Sequence, residues 1–260
     1  MSGRPKLILD EPAEGVARLT IANPERRGAL DHELLDALAG HARTLEARCL
    51  VIRGTGSVFS AGYDIGNLEG QGFEETAERL VAHPFHDAIE ALEAYAYPIV
   101  GEINGHAIGG GLELALTCDI RLASRTARLG MPPAKLGLIY SHTGLRKFID
   151  VCGPANTAEL FHVGEPVDAD RALTMGLVNE AVEPDRLEGR VLELAAQIAA
   201  NAPLSLAGNK RIIRTLRNQP MPAEVERELI ELRESCFRSE DFREGVRAFA
   251  EKRKPRWRGR

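Results

Sequence analysis

The sequence has few cysteines and no long apolar run. Its 260 residues include four cysteines, which are scattered at Cys49, Cys118, Cys152 and Cys236, with no C-x-x-C pair and no histidine at a metal-ligand interval. This spacing predicts neither a disulfide framework nor a zinc site. No stretch of about 20 apolar residues occurs, and the first residues lack a long apolar segment after their basic residues. We therefore expect a cytoplasmic protein with no membrane span and no export signal.

The sequence also lacks an excess of positive charge. Its formal net charge is -5 at pH 7, so the chain as a whole is not built to attract nucleic acid or an anionic membrane. We expect neither as a partner, and an anionic ligand would have to meet a local basic patch. Hydrophobic residues make up 44% of the chain, which is enough for one substantial core.

The first part of the chain alternates short apolar strands with amphipathic helical segments. Residues 6–10 and 16–22 predict a strand hairpin around the turn "DEPAEG". Asp31 is a candidate N-cap for a helix with an apolar face, and "CLVIRG" then predicts a buried strand. The segment "YPIVGEINGHAIGGGLELALTCDIRLAS" predicts a strand, a glycine loop, a helix and a strand. Such alternation favours parallel pairing and an α/β fold.

The later part of the chain is mostly helical in pattern. A helical segment is predicted over residues 73–95, and "VDADRALTMGLVNEAV" predicts a short helix and a strand. From Asp185 onward the pattern is helical. We therefore predict an α/β core over residues 1–184 and a helical C-terminal region over residues 185–260.

Three consecutive glycines, Gly109, Gly110 and Gly111, open one predicted helix, although each costs up to about 1 kcal/mol inside a helix. The N-terminus of a helix has backbone N–H groups without intrahelical partners and a positive potential. Glycines there let a carbonyl group approach the backbone closely. Glu113 follows on the same face, so a proton carrier would lie beside an oxyanion donor.

A simpler interpretation of the same residues is also open. The glycines could allow tight packing of the helix on a strand, and Glu113 could interact with the helix dipole. A second glycine-containing turn, "FSAGYDIGNL", follows a predicted strand, and the N–H groups around Gly62 and Tyr63 could face the first set.

Taken together, these segments resemble the crotonase superfamily, also called the enoyl-CoA hydratase/isomerase family. The stretches that carry the resemblance are "PERRGALD", "FSAGYDI", "INGHAIGGGLELALTCDIRLAS", "ADRALTMGLVNEAV" and "SEDFREGVRAFAEKRKPRW". The resemblance implies a fold of repeated ββα units and a helical C-terminal region that forms a homotrimer or a dimer of trimers. It also implies an acyl-CoA thioester as substrate. No further cofactor and no metal is expected, because coenzyme A is part of the substrate.

The resemblance also implies roles for individual residues. The N–H groups of Tyr63 and Gly110 correspond to those that polarise the thioester carbonyl and stabilise an enolate, and Glu113 corresponds to a catalytic glutamate. Positions that contact coenzyme A in relatives correspond here to Arg26, Arg27, Ala61, Asp64, Ile65, Phe249 and Lys252. Phe249 and Lys252 would reach the adenosine end from a neighbouring subunit.

The sequence departs from typical hydratases at one position. They use a second glutamate twenty residues after the first, and Pro133 stands there. Proline can neither carry a proton nor orient a water molecule, which weakens both the hydratase and the isomerase interpretation. The stretch "PPAKLGLIYSHTGL" is more similar to the methylmalonyl-CoA decarboxylase branch, with Tyr140 at that branch's tyrosine, whereas Tyr63 replaces its usual histidine.

Three functions therefore remain open from the sequence. The first two are a decarboxylase, in which Tyr140 binds the departing carboxylate or supplies a proton with Ser141 and His142 as alternates, and a hydratase that uses Glu113 alone. The third is a noncatalytic scaffold that binds RNA through the basic C-terminal segment. The negative net charge and the absence of interleaved aromatic and basic residues argue against the scaffold.

Overall fold

The computed structural model describes residues 6–63, 83–217 and 222–258. It begins with an antiparallel hairpin of β1 (Leu7–Ala13) and β2 (Val16–Ile21). The predicted end of the first strand at residue 10 is wrong, because β1 continues through a register shift to Ala13. Gly15, with φ +71°, makes the shorter turn possible. Among the described residues, no helix is long and apolar enough to cross a membrane.

Helix α1 (His32–Thr44) begins where the sequence predicts. The Asp31 carboxylate accepts a hydrogen bond from the Leu34 N–H at 3.1 Å and so caps the helix. The buried face carries Leu34, Leu35 and Leu38. The next strand, β3 (Cys49–Gly54), pairs in parallel with β2, as the alternation of strand and helix predicts.

The remaining strands complete two sheets. They are β4 (Val58–Ser60), β5 (Ile99–Ile103), β6 (His106–Ile108), β7 (Ile120–Ser124), β8 (Arg128–Gly130), β9 (Val167–Asp168) and β10 (Glu180–Val182). Within the described ranges, the larger sheet has the order β1-β2-β3-β5-β7-β10 and the smaller one β4-β6-β8-β9. From β3 to β8, each successive pair of strands places one strand in each sheet before a helical segment follows. Strand β6 lies where the sequence predicts only a glycine loop, because three residues are too few for a periodic signal.

The remaining helices are α2 (His83–Ala94), α3 (Gly110–Thr117), α4 (His142–Ala158), α5 (Ala169–Met175), α6 (Leu187–Ala199), α7 (Pro203–Arg217), α8 (Ala223–Phe237) and α9 (Glu240–Ala250). A π-helical turn (Glu159–Val163) continues α4. The helix predicted over residues 73–95 is described only from His83, and residues 73–82 lie outside the described ranges. The helices after residue 185 agree with the predicted pattern.

Apolar residues are buried on both faces of the larger sheet. One cluster lies between this sheet and α6 and includes Val51, Val100 and Leu122 from the strands with Val191 and Ala195 from the helix. A larger cluster on the other face holds α1, α2 and α3. Helix α6 thus belongs to the packing of the sheet, and the division into residues 1–184 and 185–260 stays a prediction.

One carboxyl group is also buried between the larger sheet and α6. Glu102 is 1% exposed and lies 3.3 Å from the Arg53 guanidinium, which also reaches Glu188 of α6 at 3.1 Å. Burial raises the pKa of Glu102 to about 7, and the positive charge of Arg53 opposes the rise. Between pH 4.5 and 7 the folded chain therefore holds a proton that the unfolded chain releases.

We expect Glu102→Gln to flatten the pH dependence of stability. In the wild type, the free energy of unfolding should fall as the pH rises from 4.5 to 7, by about 1 to 3 kcal/mol from this group. Glutamine cannot ionise, so the variant should lose most of that fall. Urea unfolding at several pH values measures the slope. An unchanged slope in Glu102→Gln would contradict the assignment.

Candidate active site

Two glycine-containing turns meet at the N-terminus of α3. One is the turn after β4 that carries Gly62, whose φ is +84°, and the other joins β6 to α3. A Cβ atom on Gly62 would lie 2.7 Å from the Ile108 carbonyl oxygen and 3.0 Å from the Gly110 nitrogen. The backbones of the two turns can therefore touch only because Gly62 has no side chain.

Each of the three glycines at the start of α3 is required for a different structural reason. Gly109, the residue before the helix, has φ +57°, which side chains rarely allow. A Cβ atom on Gly110 would lie 3.0 Å from Cε2 of the Tyr63 ring. A Cβ atom on Gly111 would collide with the carbonyl oxygen of Ser60. The glycines thus allow close packing at the start of the helix, and the interpretation as an oxyanion site stays a prediction.

The N–H group of Gly110 lies in the first turn of α3 and has no acceptor within the helix. The Gly109 carbonyl accepts bonds from the N–H groups of Leu112 and Glu113, at 3.0 and 3.1 Å. The Tyr63 ring lies beside Gly110 and packs edge-on against Phe85, with ring centroids 4.8 Å apart. The turn that holds Tyr63 and the N-terminus of α3 are therefore in direct contact.

The Glu113 side chain is buried and hydrogen-bonded to Tyr140. Glu113 is 5% exposed, and the Tyr140 hydroxyl donates to its Oε2. Burial raises the pKa of Glu113, while the charge of Lys147 and the bond from Tyr140 lower it by less. Burial and the charge of Glu113 together raise the pKa of Tyr140 well above its ordinary value. Tyr140 also shares a hydrogen bond with the Tyr63 side chain, so the two phenols and the carboxyl group form one chain.

Tyr140 is held in place by neighbouring aromatic rings. Its ring packs edge-on against Phe161 of the π-helical turn at 5.5 Å, and Phe161 packs on Phe148 at 5.0 Å. Pro133 is buried at the start of a 3-10 turn (Pro133–Leu136), so an apolar ring stands at the position for which the family resemblance implies a second carboxyl group in hydratases.

The alternates predicted near Tyr140 have other bonding partners. Ser141 caps α4 by accepting from the Gly144 N–H at 3.1 Å. His142 lies 3.4 Å from the Glu226 carboxylate of α8.

Sequence reasoning missed Lys147, a buried cation of α4. The buried positions of this helix include Gly144, Lys147, Phe148 and Cys152, so one lysine lies on an otherwise uncharged buried face. Its Nζ is 2.8 Å from Oε1 of Glu93, on α2. In the local sequence, the only sign of a buried lysine was a charged residue at a position of the helix that otherwise faces the core. The contact with Glu93 could not be foreseen, because the two residues are far apart in the chain.

A cavity of about 1490 Å³ connects these groups. Its lining includes the four predicted catalytic residues Tyr63, Gly110, Glu113 and Tyr140, and two predicted CoA-contact residues, Ala61 and Phe249. Phe249 lines the cavity of its own chain, where α9 packs on the 3-10 turn.

Three of the other predicted CoA-contact residues do not line the described part of this cavity. Within the described part of the chain, Arg26, Arg27 and Lys252 are absent from its walls. The turn that carries Arg27 lies beside the Tyr63 turn, because the Ala61 N–H donates to the Arg27 carbonyl at 3.0 Å. Asp64 and Ile65 lie outside the described residues. Contacts of all seven predicted residues with coenzyme A stay predictions.

Comparison with known proteins agrees with this geometry. Residues 11–260 match the family model for enoyl-CoA hydratase/isomerase. The chain is 36% identical over 253 residues to a probable enoyl-CoA hydratase of Bacillus subtilis (strain 168), which covers 94% of this chain and 95% of that protein. It is 33% identical over 230 residues to methylmalonyl-CoA decarboxylase of Escherichia coli (strain K12), with 87% of each chain covered.

A solved structure of methylmalonyl-CoA decarboxylase complexed with 2S-carboxypropyl CoA superposes with a TM-score of 0.89, at 29% identity and over 100% of both chains. The predicted α/β architecture of repeated ββα units is confirmed by this match and by the pairs of strands described above. The chain therefore belongs to the enoyl-CoA hydratase/isomerase family and has the crotonase fold.

Proposed function

We propose that this protein is an acyl-CoA-processing lyase that decarboxylates a thioester of the malonyl-CoA type through an enolate. One observation carries the choice of reaction: the buried Glu113 carboxyl group is bonded to the Tyr140 hydroxyl, while Pro133 occupies the position of the second hydratase acid. The relatives include both a probable hydratase and a decarboxylase, so the choice between the two reactions depends on these side chains.

The thioester carbonyl is proposed to bind where the two glycine turns meet. Its oxygen would accept hydrogen bonds from the N–H groups of Tyr63 and Gly110. When the bond between the α-carbon and the carboxylate breaks, its electron pair moves into the thioester and forms an enolate, and carbon dioxide leaves. Two N–H donors and the N-terminal potential of α3 stabilise the charge that develops on the oxygen.

The enolate then needs one proton at its α-carbon. Tyr140 is the proposed donor, because this residue lines the cavity and its hydroxyl connects to Glu113 and Tyr63. Glu113, whose pKa is raised by burial, can hold the proton that replaces the one Tyr140 gives up. Decarboxylation requires no strong base, which suits a site with a single carboxyl group bonded to a phenol. No separate cofactor enters the scheme, because coenzyme A belongs to the substrate.

Hydration of an enoyl-CoA is the second candidate, supported by the buried Glu113 beside the proposed oxyanion site. Here Glu113 alone would activate water and return the proton to the α-carbon. A single carboxyl group does this less readily than a pair, and its bond with Tyr140 must first break.

Mass spectrometry of the acyl-CoA pool distinguishes the two reactions. We expect the purified protein to convert methylmalonyl-CoA or malonyl-CoA into the thioester that has lost carbon dioxide. We expect crotonyl-CoA to remain unchanged under the same conditions. Gain of water by crotonyl-CoA, without decarboxylation, would reverse the assignment in favour of the hydratase.

Absence of turnover with all three thioesters would contradict the enzyme proposal if the protein also fails to bind them. RNA retention that depends on salt, with no affinity for CoA thioesters, would favour a scaffold instead.

We also propose a homotrimer or a dimer of trimers, in line with the family resemblance. Helix α7 supports this proposal because it exposes a row of large apolar side chains: Leu204, Ile212, Ile213 and Leu216. Apolar surface of this kind is typical of a protein interface. A cytoplasmic location stays a prediction.

A further inference from the structure

A buried ammonium group lies behind Glu113. Lys147 of α4 has a side chain that is 8% exposed, and its Nζ is 2.8 Å from Oε1 of Glu93 and 3.0 Å from Oγ1 of Thr117. Glu93 belongs to α2 and Thr117 to α3. The lysine therefore joins the three helices that surround the proposed acyl site.

Thr117 connects this ammonium group to the helical turn of Glu113. Its hydroxyl donates to the Glu113 backbone carbonyl at 3.0 Å and accepts from Lys147. The position of the α3 turn that carries Glu113 is thus fixed through Thr117. Within the described residues, Lys147 contacts Thr117 and Glu93 and forms no hydrogen bond with the Glu113 carboxyl group, so it acts on Glu113 through Thr117 and through its charge.

Among the residues that the structure describes, four neighbours act on the ionisation of Glu113 besides burial. The charge of Lys147 and the bond from Tyr140 favour the carboxylate, as does His86 of α2 to a smaller extent. The charge of Glu93 disfavours it. Lys147 and Glu93 therefore act in opposite directions on the same carboxyl group, although they form one ion pair.

A structural role alone explains this ion pair poorly. The Lys147 side chain is buried while that of Glu93 is 31% exposed, and burying an ammonium group costs desolvation that such an attraction often only balances. Lys147 and Glu93 line the same cavity as Glu113, so their charges also act on the ionisation of the Glu113 carboxyl group.

We propose that Lys147 is a positioning residue of the active site, which orients the turn of Glu113 through Thr117 and, balanced by Glu93, sets whether Glu113 carries its proton. This inference rests on the proposed function, because the proton on Glu113 is the one that resupplies Tyr140. The pair would thereby control how fast the enolate is protonated.

Two substitutions that break the same ion pair should move the pKa of Glu113 in opposite directions. Lys147→Met removes the positive charge and should raise it, whereas Glu93→Gln removes a negative charge and should lower it. We expect the proton affinity of Glu113 to change about tenfold each way. Lys147→Arg keeps the charge and should restore the wild-type value.

Two measurements report the change in the pKa of Glu113. The pH profile of kcat/KM reports it where the protein turns over a thioester. The ¹³C signal of the Glu113 carboxyl group, assigned by its loss in Glu113→Gln, reports it without any turnover. The inference can therefore fail or hold independently of the proposed reaction.

Lys210→Met is the matched control. Lys210 is also buried, with a side chain 10% exposed, and pairs with Asp119 at 2.9 Å, away from the cavity walls. It should leave the Glu113 titration unchanged. Shifts of the same sign in Lys147→Met and Glu93→Gln, or no shift in either, would overturn the inference, because a purely structural pair would affect both variants alike.

Discussion

Replacement of Gly110 by valine is expected to abolish turnover while the protein stays folded. The valine Cβ would lie 3.0 Å from Cε2 of Tyr63, so the ring must move and the methyl groups must fill the space in front of the α3 N-terminus. The thioester oxygen could then no longer reach both N–H donors. Loss of one such donor costs about 10² to 10³-fold in kcat, and displacement of Tyr63 should increase the loss. Steady-state kinetics with the substrate found by mass spectrometry measures it.

Two further variants control this experiment. Gly40→Val places the same side chain on the exposed surface of α1, where a Cβ atom meets nothing within 4 Å, and should leave turnover unchanged. Gly111→Val should instead unfold the region, because its Cβ atom would collide with the backbone of Ser60. Turnover in Gly110→Val close to that of the wild type would contradict the proposed oxyanion site.

Removal of the Tyr140 hydroxyl is expected to slow decarboxylation about 100-fold, within the range that a positioned proton donor contributes. Tyr140→Phe keeps the ring against Phe161 but deprives both Glu113 and the enolate of the hydroxyl. Since the proposed donor acts after the substrate has bound, the fall should appear in kcat, with little change in KM. Rapid-quench or steady-state assays separate the two parameters.

Tyr95→Phe is the matched control for Tyr140→Phe. The Tyr95 hydroxyl is also bonded to a protein acceptor, the Ala47 carbonyl, but it lies away from the cavity walls. Its loss should lower stability without changing kcat. If Tyr140→Phe and Tyr95→Phe reduced stability alike and both kept full activity, Tyr140 would be a packing residue, and the proton would have to come from elsewhere.

The local elements of the fold are predictable from the sequence because their signals are local. Asp31 predicts the start of α1, and the alternation of apolar strands with helices predicts parallel strand pairing. The three glycines and Glu113 indicate a helix N-terminus that could bind a negatively charged group. Strand β6 was not predicted because its three residues are too few to show the alternation of apolar and polar residues that is typical of a strand. The turn after β1 is shorter than predicted because Gly15 adopts a positive φ.

The contacts between distant segments could not be predicted in the same way. The bond between Tyr140 and Glu113 and the pair of Lys147 with Glu93 join helices and loops whose spacing only the folded chain defines. The sequence did indicate that a second acid was missing at Pro133. It contained no sign that a phenol would bond to the remaining acid, since an aromatic residue in a loop most often serves packing.

The proposed decarboxylation requires the N–H groups of Tyr63 and Gly110 to donate to the same thioester oxygen. A crystal structure of the protein with a non-reactive malonyl-type CoA thioester analogue would examine this requirement. We expect the carbonyl oxygen to lie about 2.7 to 3.1 Å from both backbone nitrogens. An oxygen bound elsewhere, or nitrogens that already donate to carbonyl groups of the protein itself, would contradict it.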